Sequence, residues 1–146
     1  MVFWKSNERV SNPIQRIETM DSKAPEILLI EKDEVTLEIY QRELSKSFTV
    51  FAFTELNGVL ETLTSHDIRA VIIEPEISSG QGWELINSIY EACPGRHIPV
   101  IVCSTRDAFR ENRGQSITMH LTKPVLPKTL RQKTLEVTGS QETTTS

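Results

Sequence analysis

The chain has 146 residues, 38% of them hydrophobic and 25% charged. That suits one compact domain with its own core. A net charge of -4 offers no general attraction to nucleic acid or to an anionic membrane surface. With two cysteines, three histidines and no close Cys/His pair, neither a zinc site nor a disulfide framework is expected, and Cys93 and Cys103 read as reduced structural thiols.

Residues 1–24 are polar and precede the first apolar run. They lack the apolar core of a secretory signal, and no later stretch is long enough to span a bilayer, so the cytoplasm is the expected location. The arm has room for one short helix: Asn12 suits the cap, Pro13 the first helical position, and Gln15 follows three after the cap. Val10, Ile14 and Ile17 fall at helical spacing. A frayed arm and a docking helix both fit this pattern.

The folded part is expected over residues 25–138. Ile27-Leu28-Leu29-Ile30 is aliphatic throughout, as in a strand covered on both faces. Leu37, Tyr40, Leu44 and Phe48 share one helical face. Residues 48–53 form a second strand, rich in aromatic and β-branched side chains. Val59, Leu60 and Leu63 mark a short helix, and Val71-Ile72-Ile73 a third strand. Leu85, Ile86, Ile89 and Tyr90 mark the next helix, which Pro94-Gly95 should end. Residues 99–103 give a fourth strand, and a polar helix follows to about Gly114. Residues 117–121 give a fifth strand, and Pro127 opens a last helix carrying Leu130 and Leu135. Residues 139–146 have nothing to bury and read as a disordered tail.

This alternation predicts an α/β fold, a doubly wound parallel sheet with helices on both faces. Right-handed crossovers leave the flavodoxin-like (βα)5 order 2-1-3-4-5 as one of few choices. Functional groups gather at the carboxyl ends of such strands. Here those ends are Glu31-Lys32-Asp33, Glu74-Pro75-Glu76, Ser104-Thr105 and Thr122-Lys123-Pro124.

In order and spacing these four clusters, together with Gly82-Trp83-Glu84-Leu85, resemble a response-regulator receiver domain of the CheY-like family, over roughly residues 26–138. The resemblance implies a phosphoacceptor position at Glu74, an acidic pair at Glu31 and Lys32, and phosphate-sensing or switch positions at Ser104, His120 and Lys123. It also implies that Glu76 contributes its backbone carbonyl rather than its side chain. Phosphoryl transfer at such a site needs an attacking carboxylate, a lysine, a hydroxyl and a divalent ion, usually Mg2+.

Two departures matter. The family's acceptor is aspartate, whereas Glu74 is a methylene longer, about 1.5 Å, and a misplacement of ~1 Å can cost about a hundredfold in rate. Lys32 stands where an acid belongs and repels a metal ion. Its ammonium is expected to pair with Glu74 or Glu31, while Asp33 is expected to cap the following helix. The site therefore reads as a degenerate, or pseudo-, receiver: not an enzyme, without cofactor or metal, and independent of phosphorylation. Glu74 would then either mimic part of a phosphoryl group's charge or be neutralised by Lys32.

A second reading is an orthodox phosphoaccepting regulator that uses Glu74, with Mg2+ on Glu31, Asp33 and Glu74. A flavodoxin-like nucleotide-binding enzyme ranks below both, because the first strand leads into acids rather than a glycine-rich phosphate loop. His120 occupies a place where the family often has an aromatic residue, and a pH switch there is a minor reading beside a structural one.

The expected role is a stand-alone signalling domain of a two-component or phosphorelay system. It acts through a protein partner such as a sensor kinase or regulator, by way of strand five and the last two helices. Phe3 and Trp4 on the arm are a second candidate contact, and a homodimer is compatible with the sequence. No nucleic-acid or membrane partner is expected.

Overall fold

The structure is a computed structural model and describes residues 23–111 and 117–139. In chain order the elements are β1 (Glu26–Ile30), α1 (Glu34–Leu44), β2 (Thr49–Phe53), α2 (Val59–Ser65), β3 (Ile68–Ile73), α3 (Ile77–Ala92), β4 (Val100–Ser104), α4 (Arg106–Glu111), β5 (Met119–Thr122) and α5 (Pro127–Thr138). Among the described residues no helix is long and apolar enough to cross a membrane. The expectations for the arm, other than at Lys23 and Ala24, and those for residues 140–146 lie outside the described residues.

All strand pairs are parallel, in the order β2-β1-β3-β4-β5, which is the flavodoxin-like order. The aliphatic runs are buried on both sheet faces, and alternate residues divide between two cores. Leu28, Ile30, Val71, Ile73, Val100 and Val102 pack towards α2 and α3. Ile27, Leu29, Ala70, Ile72, Ile101 and Cys103 pack with Tyr40 and Leu44 of α1 and Leu130 of α5. Cys93 and Cys103 are both free and buried, and burial above all pushes the Cys103 thiol up to about 12.

The differences from the sequence expectations lie at element ends. Phe48 closes the turn after α1, its N–H bonding Leu44 O at 2.9 Å, so β2 starts one residue later. β3 starts at Ile68, because exposed Arg69 hid a strand end in a charged residue. Thr118 donates its backbone N–H to Val100 O, its hydroxyl oxygen accepts from Val100 N–H, and β5 proper follows from Met119. Gly139 belongs to the helix cap rather than the tail: its left-handed φ of 75° turns its N–H onto Glu136 O.

The segment after β3 matters most for the site. Ser78, Ser79 and Gly80 are all left-handed, with φ of 52°, 58° and 91°. They interrupt α3 in its first turn, and the two serines cost the backbone on the order of 1–2 kcal/mol each. The chain then folds back so tightly that a Cβ on Gly82 would lie 2.6 Å from the Pro75 carbonyl oxygen. Only glycine permits that approach. Gly82→Ala should therefore destabilise the domain by about 1–3 kcal/mol, read as a lower urea midpoint with an unchanged slope. Gly80→Ala, with open space around its Cβ, should cost only its left-handed backbone.

Candidate functional site

Register brings the sequence-predicted residues together. Ile30 pairs with Ile73 and Ile73 with Val102, and the ladder runs on as Glu74 N–H bonds Ile30 O at 2.9 Å. Glu31 and Glu74 therefore stand side by side at the carboxyl edge, just past the buried aliphatic rows. Lys123 follows β5, its N–H on Ser104 O at 3.0 Å, and the Lys123–Pro124 peptide is cis.

Glu31 and Glu74 are only 2% and 4% exposed, and carboxylates so placed need partners. Each solves this in the same way. Glu31 Oε2 accepts from the N–H of Asp33 at 3.1 Å, and Glu74 Oε2 from that of Glu76 at 2.9 Å. The other oxygen of each faces Lys123 Nζ, at 3.4 Å from Glu31 and 3.6 Å from Glu74. Lys32 Nζ lies 3.8 Å from the same Glu74 oxygen but is over half exposed, so solvent screens that pair heavily. Two carboxylates thus converge on one shared ammonium, with a second ammonium at the rim.

Asp33 turns away from this cluster. Its carboxylate caps α1, accepting from Thr36 N–H at 2.9 Å and Thr36 Oγ1 at 2.6 Å. Those bonds, the side-chain one first, hold its carboxyl below the usual range. The donor set suits magnesium poorly. Mg2+ needs several oxygens in near-octahedral array, yet the inward oxygens of Glu31 and Glu74 hold an ammonium and Asp33 is committed to its helix. Among the described residues no group of three or more His, Cys, Asp and Glu side chains is placed to hold a metal.

Ser104 is 1% exposed, and its hydroxyl has two neighbours. It donates to Thr105 O at 3.1 Å and meets His120 Nε2 at 2.9 Å. That network is satisfied when His120 carries its proton on Nε2 and donates to Ser104 Oγ. Phe109 of α4 stacks on the imidazole, with ring centroids 4.0 Å apart and 12° between planes. Burial lowers the His120 pKa, and hydrogen bonding to Ser104 opposes this in part.

Three contacts were not foreseen. The resemblance implies only a backbone role for Glu76, yet its Oε2 accepts from Trp83 Nε1 at 2.9 Å. Trp83 is 5% exposed, and the need of a buried indole N–H for an acceptor was the available signal. Tyr40 was read only as a core residue, but its hydroxyl donates to Val125 O at 2.9 Å and ties α1 to the loop after Lys123. Burial first, then Cys103 and Glu31, push that phenol up to about 12. The Phe109–His120 stack had no sequence signal, because α4 lacks a strong apolar period.

Lys123→Met should destabilise the domain by roughly 2–3 kcal/mol, because it leaves buried Glu31 without a cation and Glu74 with only the exposed Lys32. Adding Glu31→Gln and Glu74→Gln should recover most of the loss in urea titrations. For His120, the folded-state pKa lies below the ordinary 6.5. The unfolded chain then takes up the proton first, so this residue's share of stability is full above pH 6.5 and falls as the pH drops below it. The stability difference between wild type and His120→Phe should accordingly shrink from pH 7.5 to pH 5.5, measured by urea midpoints at both.

No protein-family model matches the chain, and no curated protein matches it. Solved structures do. A CheY-like response regulator receiver domain protein from Methanospirillum hungatei JF-1 superposes with a TM-score of 0.67 at 20% identity, covering 83% of this chain and 98% of that one. The BeF3-activated DrrB receiver domain gives 0.67 at 18%, covering 78% and 97%. The Vibrio cholerae chemotaxis protein CheY4 gives 0.69 at 15%, covering 78% and 98%. At these identities the likeness is one of architecture, and the chain has the fold of CheY-like response-regulator receiver domains.

Proposed function

We propose that this chain is a receiver-type signalling domain whose strand-end site holds a fixed ion-pair cluster in place of a phosphorylation centre. The observation that carries the reading is Lys123 Nζ lying between the inward oxygens of Glu31 and Glu74, at 3.4 and 3.6 Å. In a working site of this kind a carboxylate must be free for in-line attack while a divalent ion neutralises the phosphoryl oxygens. Here the acceptor-position carboxylate is spent on one backbone N–H and two ammonium groups. Its extra methylene also moves it outward from where a shorter acid would attack. The domain then works in the cytoplasm by protein contact, without magnesium, and β5, α4 and α5 are the surface we assign to that contact. The His120 ring links two of them to the strand edge: it lies on β5, stacks on α4 and bonds Ser104 at the end of β4.

Incubation with acetyl phosphate and magnesium, followed by intact mass, tests the reading. Wild type should gain no phosphoryl group. The double variant Lys32→Asp, Glu74→Asp should gain one only when magnesium is present. Labelling of wild type that disappears in Glu74→Gln would instead make this an orthodox phosphoacceptor. Continued inertness of the double variant, with its fold intact, would show that the site has been misplaced.

A further inference from the structure

We propose that the groove between α2 and α3 docks a short amphipathic segment of a partner protein, one with an aliphatic anchor flanked by lysine or arginine. The groove has a volume of about 410 Å³. One wall is α3, where Gln81, Glu84 and Leu85 fall at i, i+3 and i+4 and so share a stripe. The other is Leu56, in the loop before α2, with Leu60 and Glu61 in the first turn of α2. Leu56 and Leu85 pack on the core beneath, so the floor is apolar. Leu60 is 40% exposed and leaves aliphatic surface in water at the rim. The α3 wall is preformed: regular helix resumes at Gln81, and the close approach of Gly82 to Pro75 fixes its start. A wall already in place lowers the ordering cost of binding.

Charge singles out the occupant. Glu61 and Glu84 are both exposed. Among the described residues neither has an ion-pair partner, and no lysine, arginine or histidine lines the groove. Glu61 also suits the positive end of α2, which accounts for an acid there but not for the exposed leucine beside it. An acidic partner would be repelled, and a wholly apolar one would strip water from two carboxylates without replacing it. A basic segment laid along the α3 stripe meets the leucines and the acids together, in the manner of a helix in a groove. β2, which leads into α2, is the edge strand opposite β5. The groove is therefore separate from the surface of β5, α4 and α5, and both can be occupied at once. The inference is independent of the charge cluster and of whether Glu74 accepts phosphate.

Amide NMR shifts of the full chain, titrated with a synthetic amphipathic helix of leucine and lysine, test it. The same peptide with glutamate in place of lysine is the control. The lysine peptide should shift the amides of residues 56–61 and 81–88 saturably, and the glutamate peptide should not bind. Glu61→Gln with Glu84→Gln should weaken binding about fivefold or more. Glu34→Gln with Glu38→Gln, the same change of charge at exposed positions of α1, should leave it unchanged. Leu60→Ala should weaken it about tenfold with an unchanged urea midpoint, and if the midpoint falls the Glu61 and Glu84 variant decides alone. Absence of saturable shifts at the groove would overturn the proposal. So would equal weakening by the two glutamine pairs, which marks general attraction to an acidic protein, or equal binding of the glutamate peptide. Groove amides that shift on dilution without peptide would overturn it too, since the groove would then hold a second copy.

Discussion

The strand-end surface of this molecule depends on one ammonium group. Lys123 reaches two carboxylates that the sheet has already removed from water. Desolvating each carboxylate costs several kcal/mol, and its attraction to the lysine returns a similar amount. The net contribution to stability is therefore small, although losing the lysine is expensive. Such a cluster specifies geometry more than it adds stability. It holds the loop after β5 against those after β1 and β3, and Tyr40 fastens the same loop from behind through Val125 O.

The rest of the edge is organised around keeping this cluster still. The left-handed run Ser78-Ser79-Gly80 and the close approach of Gly82 to Pro75 fold the chain back after β3. Trp83 then grips Glu76, whose own N–H holds Glu74 Oε2. Asp33 plays the matching part after β1: its N–H holds Glu31 Oε2 and its side chain starts α1. Each buried carboxylate is thus fixed by an amide two residues on, and each of those residues is fixed in turn by a helix. Backbone placement from both sides leaves only the inward oxygens to choose a partner.

The fold was legible because its signals are collective. Five apolar runs and four strand-end clusters had to fall in order, and a misplaced boundary at Phe48 or Ile68 changes none of them. The clustering of Glu31, Glu74 and Lys123 at one sheet edge was legible for the same reason. Their partners were harder to read. Ser104 looks by type like a group for an anion, but which way its hydroxyl turns depends on His120 sixteen residues on and on Phe109 from a helix with little sequence signature. The bonds from Trp83 to Glu76 and from Tyr40 to Val125 O follow from buried donors seeking acceptors, a constraint that acts only once burial is known.

Charge balance ties the residues at positions 32 and 74 together. With Lys32, the cluster holds two carboxylates and two ammonium groups and is neutral. Adding a divalent ion would leave it with a charge of about +2 in a half-buried site, where such an excess is costly. An acid at position 32 would instead place three carboxylates around Lys123 alone, and that deficit of positive charge is what draws in a metal. On the proposed reading, the charge at position 32 sets how well this edge tolerates a divalent ion. The long arm of Glu74 lets one carboxylate oxygen lie 3.6 Å from Lys123 Nζ and 3.8 Å from Lys32 Nζ at once.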